Sequence, residues 1–179
     1  MDPTTRPIAL VGLMGAGKSA VAEALGTRLG GAIADVDAMV EAAAAAAVVE
    51  VFELEGEAGF RRREADALER ALTQPLCVLA TGGGIVLHER NRTLLRERCR
   101  VVWLEVTPAE AARRVRAHAR ERPLLAGAAV EERLEMLLRE RTPLYETVAE
   151  FKVPTDGRTA TEVAEAVFSL TNGATPNGA

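Results

Sequence analysis

Residues 12–19 read Gly-Leu-Met-Gly-Ala-Gly-Lys-Ser, and this octet constrains the fold more than any other segment. It satisfies G-x-x-x-x-G-K-[ST] at every fixed position. The apolar run Ile8-Ala9-Leu10-Val11 leads in, and residues 20–25 lead out with helical spacing. A strand, a glycine-rich turn and a helix gather backbone N–H groups at the positive end of a helix dipole. Such a nest suits a di- or triphosphate. Gly15, Ala16, Gly17, Lys18, Ser19 and Ala20 form it, with Lys18 reaching the β- and γ-phosphates of a nucleotide and the Ser19 hydroxyl ligating Mg2+. Kinases, GTPases and motors share the motif, so it leaves the use of the nucleotide open.

Short β-like runs alternate with longer helical patterns along the rest of the chain. Strands are expected near 7–11, 32–35, 76–81, 100–106 and 150–154. Helices are expected near 17–29, 37–55 with an interruption, 58–73, 89–98, 108–118, 129–147 and 159–171. The fold class is α/β: three layers, a parallel five-stranded sheet with helices on both faces. Thr107-Pro108 reads as a helix start, threonine capping and proline at the first helical position. The alanine run 42–47 favours helix over linker.

At 179 residues the chain suits a single domain, 1–179, with a core over 6–171. Residues 116–129, with Arg120, Arg122, Pro123 and Gly127 and no sustained period, are expected to form a mobile lid. Residues 172–179 are expected to be a flexible tail.

Only 3% of residues are aromatic, so the core must be aliphatic, and a net charge of −4 argues against nucleic-acid backbones as partners. No apolar stretch reaches the roughly 18–20 residues of a membrane span. Residues 1–7 are too short and polar for a targeting segment, which predicts a cytoplasmic protein. Cys77 and Cys99 sit in apolar, strand-like contexts and read as buried thiols. His88 and His118 lack a second ligand at metal spacing, so no zinc site is expected. No heptad or long apolar stripe calls for a dimer, so the expected state is a monomer.

A second constellation falls where open α/β sheets bind ligands, at the carboxyl ends of the strands. Asp35 and Asp37 follow the second expected strand, and Thr81-Gly82-Gly83-Gly84 follows the third. Many phosphate-loop proteins carry a metal-holding aspartate after a strand beside the loop. Here that strand ends in threonine and glycines, so Asp35 is the available carboxylate, acting through water because Mg2+ is dehydrated reluctantly. Gly82, Gly83 and Gly84 suit a place where backbone approaches a ligand closely. Arg61 opens a helix, Arg122 lies in the lid and Arg141 precedes Pro143-Leu144-Tyr145.

Together these residues resemble the shikimate kinase family, small-molecule kinases of aromatic amino-acid (chorismate) biosynthesis. The matches are the octet, Asp35-Val36-Asp37 with Glu41, Phe52, Gly56-Glu57 and Phe60-Arg61 with Glu64. Thr81 to Gly84, Trp103-Leu104-Glu105, Arg122-Pro123-Leu124-Leu125 and Arg141 to Tyr145 complete them. The resemblance covers 6–170. It implies a nucleoside-monophosphate-kinase-like fold, a closing lid, and ATP-dependent phosphorylation of the 3-hydroxyl of shikimate. By the same resemblance Arg61 and Arg141 grip the shikimate carboxylate, with Gly82, Gly83 and Gly84 in the same site. Asp37 takes the ring hydroxyls and orients the attacking one, as candidate acceptor of its proton. Arg122 joins Lys18 at the transferred phosphoryl group, Arg114 and Arg158 line the adenine pocket, and Ser19 and Asp35 serve the metal.

The chain departs from the family between Glu41 and Phe52. The family has a glycine-containing break and a Ser or Thr cap where this chain has Ala42 to Ala47 and two valines. That substitution predicts a longer or reoriented helix at the substrate wall. Two other readings share the octet: a related kinase of a sugar acid such as gluconate, and a nucleotide-binding regulator without phosphotransfer.

Overall fold

The computed structural model describes residues 6–117 and 130–173; the expected lid, apart from residues 116 and 117, and most of the expected tail lie outside them. In chain order the elements are β1 (Ile8–Val11), α1 (Lys18–Leu29), β2 (Ile33–Asp35), α2 (Val36–Ala44), α3 (Val48–Ala71) and β3 (Val78–Ala80). After a 3-10 turn at Ile85–Leu87 come α4 (Glu89–Arg98), β4 (Arg100–Glu105), α5 (Pro108–Ala117), α6 (Val130–Val148), β5 (Phe151–Pro154) and α7 (Ala160–Gly173). The strands pair in parallel in the order β2-β3-β1-β4-β5. β1 and β3 are therefore neighbours, which sets the phosphate loop beside the glycine run.

The continuous apolar character of the inner strands follows from burial on both faces. Ile8 and Leu10 of β1, Val78 and Ala80 of β3, and Val102 and Leu104 of β4 enter one core with α1 and α7. Ala9 and Val11, Leu79, and Val101 and Trp103 point the other way, into a core with α2, α3 and α4. α6 serves both, giving Val130 and Leu134 to the first and Tyr145 and Val148 to the second. Cys77 and Cys99 are buried thiols, as expected. Among the described residues no helix is long and apolar enough to cross a membrane.

The alanine run breaks, as the interruption expected within 37–55 requires, and does not run on into one longer helix. α2 ends at Ala44, and Ala45 turns left-handed, with φ 50 and ψ 33. Among the described residues it is the only non-glycine with positive φ. Two carboxylates then hold the start of α3: Glu41 Oε1 accepts the N–H of Val48 at 3.0 Å, and Glu50 Oε2 accepts that of Ala47 at 2.7 Å. Glutamates thus do what a Ser or Thr cap would do, satisfying amides that have no partner within the helix. α3 breaks once more at Gly56, with φ 67 and ψ 179, near the expected helix boundary. Across this kink Arg63 grips both carboxylate oxygens of Glu55.

An alanine in the left-handed region carries a cost of roughly 1–2 kcal/mol, which glycine avoids. Ala45→Gly should therefore raise stability by about 0.5–1 kcal/mol, and Ala45→Val should lower it by at least as much. Urea titrations of the two variants beside the parent check the sign of each.

Candidate active site

The phosphate loop closes where β1 meets α1. Gly15 and Gly17 hold φ values of 82 and 84, which L side chains rarely adopt. A Cβ on Gly15 would also sit 2.8 Å from the Ala111 carbonyl oxygen, because α5 packs on the loop. α1 starts with no side-chain cap and no acid in its first turn, so its positive end suits an anion. Lys18, only 8% exposed, folds back so that Nζ donates to the carbonyls of Gly12 (2.8 Å) and Leu13 (2.9 Å). The ammonium is held at the loop rather than extended into solvent.

Beside it, Ser19 Oγ donates to Asp35 Oδ2 at 2.6 Å. A hydroxyl and a carboxylate are hard oxygen donors of the kind Mg2+ prefers, with phosphate and water oxygens completing its shell. Among the described residues no group of three His, Cys, Asp or Glu side chains offers another metal centre. The Ser19–Asp35 pair fits the expected Mg2+ site.

Across β3 the glycine run acts as a seat for charge. A Cβ on Gly82 would fall 2.6 Å from Asp37 Oδ1 and 2.8 Å from Glu64 Oε1. One on Gly83 would lie 3.5 Å from Arg141 Nη1, and one on Gly84 would collide with the Arg61 guanidinium. Asp37, Glu64 and Arg61 thus lie where ordinary residues would put a carbon, and Arg141 stands at contact distance beside them. Tyr145, fully buried, donates its hydroxyl to the Gly83 carbonyl at 2.6 Å and so fixes the run from below. Burial pushes the Tyr145 phenol up to about 12, although Arg141 draws it down.

Glu64 is the hidden member of this group. Its side chain is 0% exposed, and Oε2 takes a bond of 2.8 Å from Arg61 Nη1. Burial raises its carboxyl above the usual range; Arg61 opposes this, and nearby Asp37 adds to it. Among the described residues Arg61 Nε, Arg141 Nε and Glu64 Oε1 are buried with no hydrogen-bond partner. Orphaned guanidinium N–H groups of this kind suit an anionic ligand.

A cleft of about 410 Å³ joins the phosphate loop to Asp37, Thr81 and Gly83 at one end and to Arg114 and Arg158 at the other. Arg61 and Arg141 are not among the residues that line this cleft; they lie near Gly84 and Gly83 and both act on Glu64. At the far end Arg114 donates to the carbonyls of Thr155 (2.6 Å) and Gly15 (3.2 Å), and Glu110 holds its Nε at 2.7 Å. Arg113 first, then Arg114, lowers the Glu110 carboxyl to about 2. Arg158 turns to the carbonyls of Pro154 and Glu162, each at 3.2 Å. Thr107 caps α5 as expected, accepting the Glu110 N–H at 3.3 Å, and is itself fastened to Asp156 at 2.6 Å. Arg122 lies outside the described residues.

Sequence reasoning gave Glu64, Tyr145, Glu110 and Thr155 no role. The i, i+3 spacing of Arg61 and Glu64, and the i, i+4 spacing of Glu110 and Arg114, were readable signals. Tyr145 and Thr155 act on residues 62 and 41 positions away, which no local pattern reveals.

A phosphate loop at the carboxyl edge of a parallel sheet, with an arginine cradle beside it, defines the class: phosphate-loop kinases of small molecules. The shikimate kinase family model matches residues 14–171, and the chain belongs to that family. The shikimate kinase of Bordetella avium is 43% identical over 166 residues, covering 93% of this chain and 79% of the relative. The solved shikimate kinase from Acinetobacter baumannii, in complex with shikimate, superposes with a TM-score of 0.89 at 36% identity, over 95% of this chain and 94% of that one. A gluconokinase from Sinorhizobium meliloti shares the fold at a TM-score of 0.61 and 18% identity, covering 94% of this chain and 93% of that one.

The raised Glu64 carboxyl has a definite consequence for stability. The folded chain holds that proton more tightly than the unfolded chain, so the associated stability is present below the ordinary value of 4.5 and is lost as pH rises through the raised one. Glu64→Gln cannot lose it. The stability difference should therefore shift in favour of the variant as pH rises from about 4.5 through the raised value, as paired thermal melts would record.

Proposed function

We propose that this chain transfers the terminal phosphoryl group of ATP to the 3-hydroxyl of shikimate. The observation that carries the reading is the joint one: Lys18 and Asp37 line a single cleft, and Asp37 rests on the glycine that also seats Glu64. Phosphoryl transfer asks for alignment and charge stabilisation more than for covalent chemistry. Arg61 and Arg141, beside Gly84 and Gly83, take the carboxylate of the acid with their guanidinium groups. Asp37 orients the attacking hydroxyl and accepts its proton. Lys18, joined by Arg122, meets the charge on the transferred group. Ser19 directly and Asp35 through water would hold Mg2+, which would supply charge neutralisation at the phosphates. Arg114 and Arg158 border the base.

Gluconate also carries a carboxylate, and the gluconokinase fold likeness makes it the sharpest control. It is an open chain, whereas the cradle sets its arginines at fixed positions on Gly83 and Gly84. The filled metal, phosphate and acceptor positions argue against a regulator without catalysis. The same reading describes a monomer working in the cytoplasm.

Coupled ADP release should be rapid with shikimate and near background with gluconate; the reverse order would remove the assignment. Asp37→Asn should retain ATP binding while turnover falls about 100-fold or more. Gly84→Ala, which evicts the Arg61 guanidinium, and Arg61→Ala should each raise the KM for shikimate at least about tenfold, leaving that for ATP near the parent value. Steady-state kinetics with each substrate varied in turn separates these effects.

A further inference from the structure

The Asp35 carboxylate is divided between two tasks. Oδ2 accepts from Ser19 in the metal corner, at 2.6 Å. Oδ1 faces the opposite way and accepts the N–H groups of Asp37 at 2.9 Å and Ala38 at 3.3 Å. Asp35 is in fact the N-cap of α2, with extended φ −121 and ψ 120. One of the two amides it holds belongs to Asp37 itself. The first turn of a helix is where the chain is least held by its own bonds, because those amides have no partner within the helix. The direction of the Asp37 side chain, which lies against Gly82, is set in that turn.

We propose that Asp35, beyond serving the metal, is the positioning residue of the acceptor site: by capping α2 it fixes the turn that aims Asp37 at the acceptor hydroxyl. The cap needs only an oxygen acceptor at this position, whereas the metal corner needs a carboxylate long enough to stand beside Ser19. The two tasks are chemically separable. Asparagine and serine are as good as aspartate at an N-cap, and alanine is not. Other features of α2 do not replace the cap. Val36 and Val40 are buried and anchor the body of the helix, while the amides of Asp37 and Ala38 depend on Asp35.

The inference rests on the proposed role of Asp37, and its test keeps the two apart. Shikimate binding is measured by calorimetry with neither nucleotide nor Mg2+ present, so the metal task of Asp35 does not enter. Asp35→Ala should weaken this binding about tenfold. Asp35→Asn and Asp35→Ser should stay within about twofold of the parent in the same assay, although both lose turnover at limiting Mg2+. In kinetics, Asp35→Asn should therefore change kcat and the Mg2+ requirement with the KM for shikimate preserved. Parental affinity in Asp35→Ala overturns the proposal, and so does a loss in Asp35→Asn and Asp35→Ser. The asparagine and serine variants decide the matter even if the alanine variant does not fold. Asp37→Ala runs in parallel: if it binds shikimate normally, the role of Asp37 has failed rather than the capping role of Asp35.

Discussion

Burying charge at the edge of an apolar sheet is the constraint the rest of this structure answers. Lys18 and Arg141 are each 8% exposed and Glu64 is fully enclosed, among strands whose residues are almost all aliphatic. A buried charge is tolerated only when paired and hydrogen-bonded. Lys18 is held by two loop carbonyls, and Glu64 by Arg61. The pairing is incomplete on Arg61 and Arg141, whose buried Nε atoms have no hydrogen-bond partner.

Room for this cluster comes from what is missing. At Gly82 and Gly84 a single added carbon would meet Asp37, Glu64 or Arg61 at less than contact distance. The glycines stand beside β1 because β3 pairs with it in parallel, Ala9 opposite Leu79. Phosphate loop and acid cradle are therefore adjacent through strand order, with no loop needed to bring them together.

The wall opposite shows the same economy in carboxylates. Asp35 caps α2, Glu41 reaches from α2 to the start of α3, and Glu50 closes that start from within. A helix break usually written in glycine and serine is here written in alanine and glutamate. The geometry survives because acceptor oxygens, rather than particular residue types, satisfy the exposed amides. At the other end Glu110 holds Arg114 against Thr155 and Gly15, tying that end of the cleft to the phosphate loop.

Much of this was legible in local sequence. The octet, the apolar runs and the Thr107-Pro108 start dictated a phosphate loop on a parallel sheet, because strand, turn and helix propensities act over a few residues. The alanine run misled, since helix propensity cannot register side chains that reach back from Glu41 to Val48. The residues at 35, 37, 61 and 82–84 were singled out by their place at the strand ends and by the family resemblance. Only the tertiary structure decided that Tyr145 supports Gly83, that Thr155 receives Arg114 and that Glu64 sits buried beside Asp37. Those contacts join segments far apart in the chain, and they exist only once parallel strand pairing has set the order of the sheet.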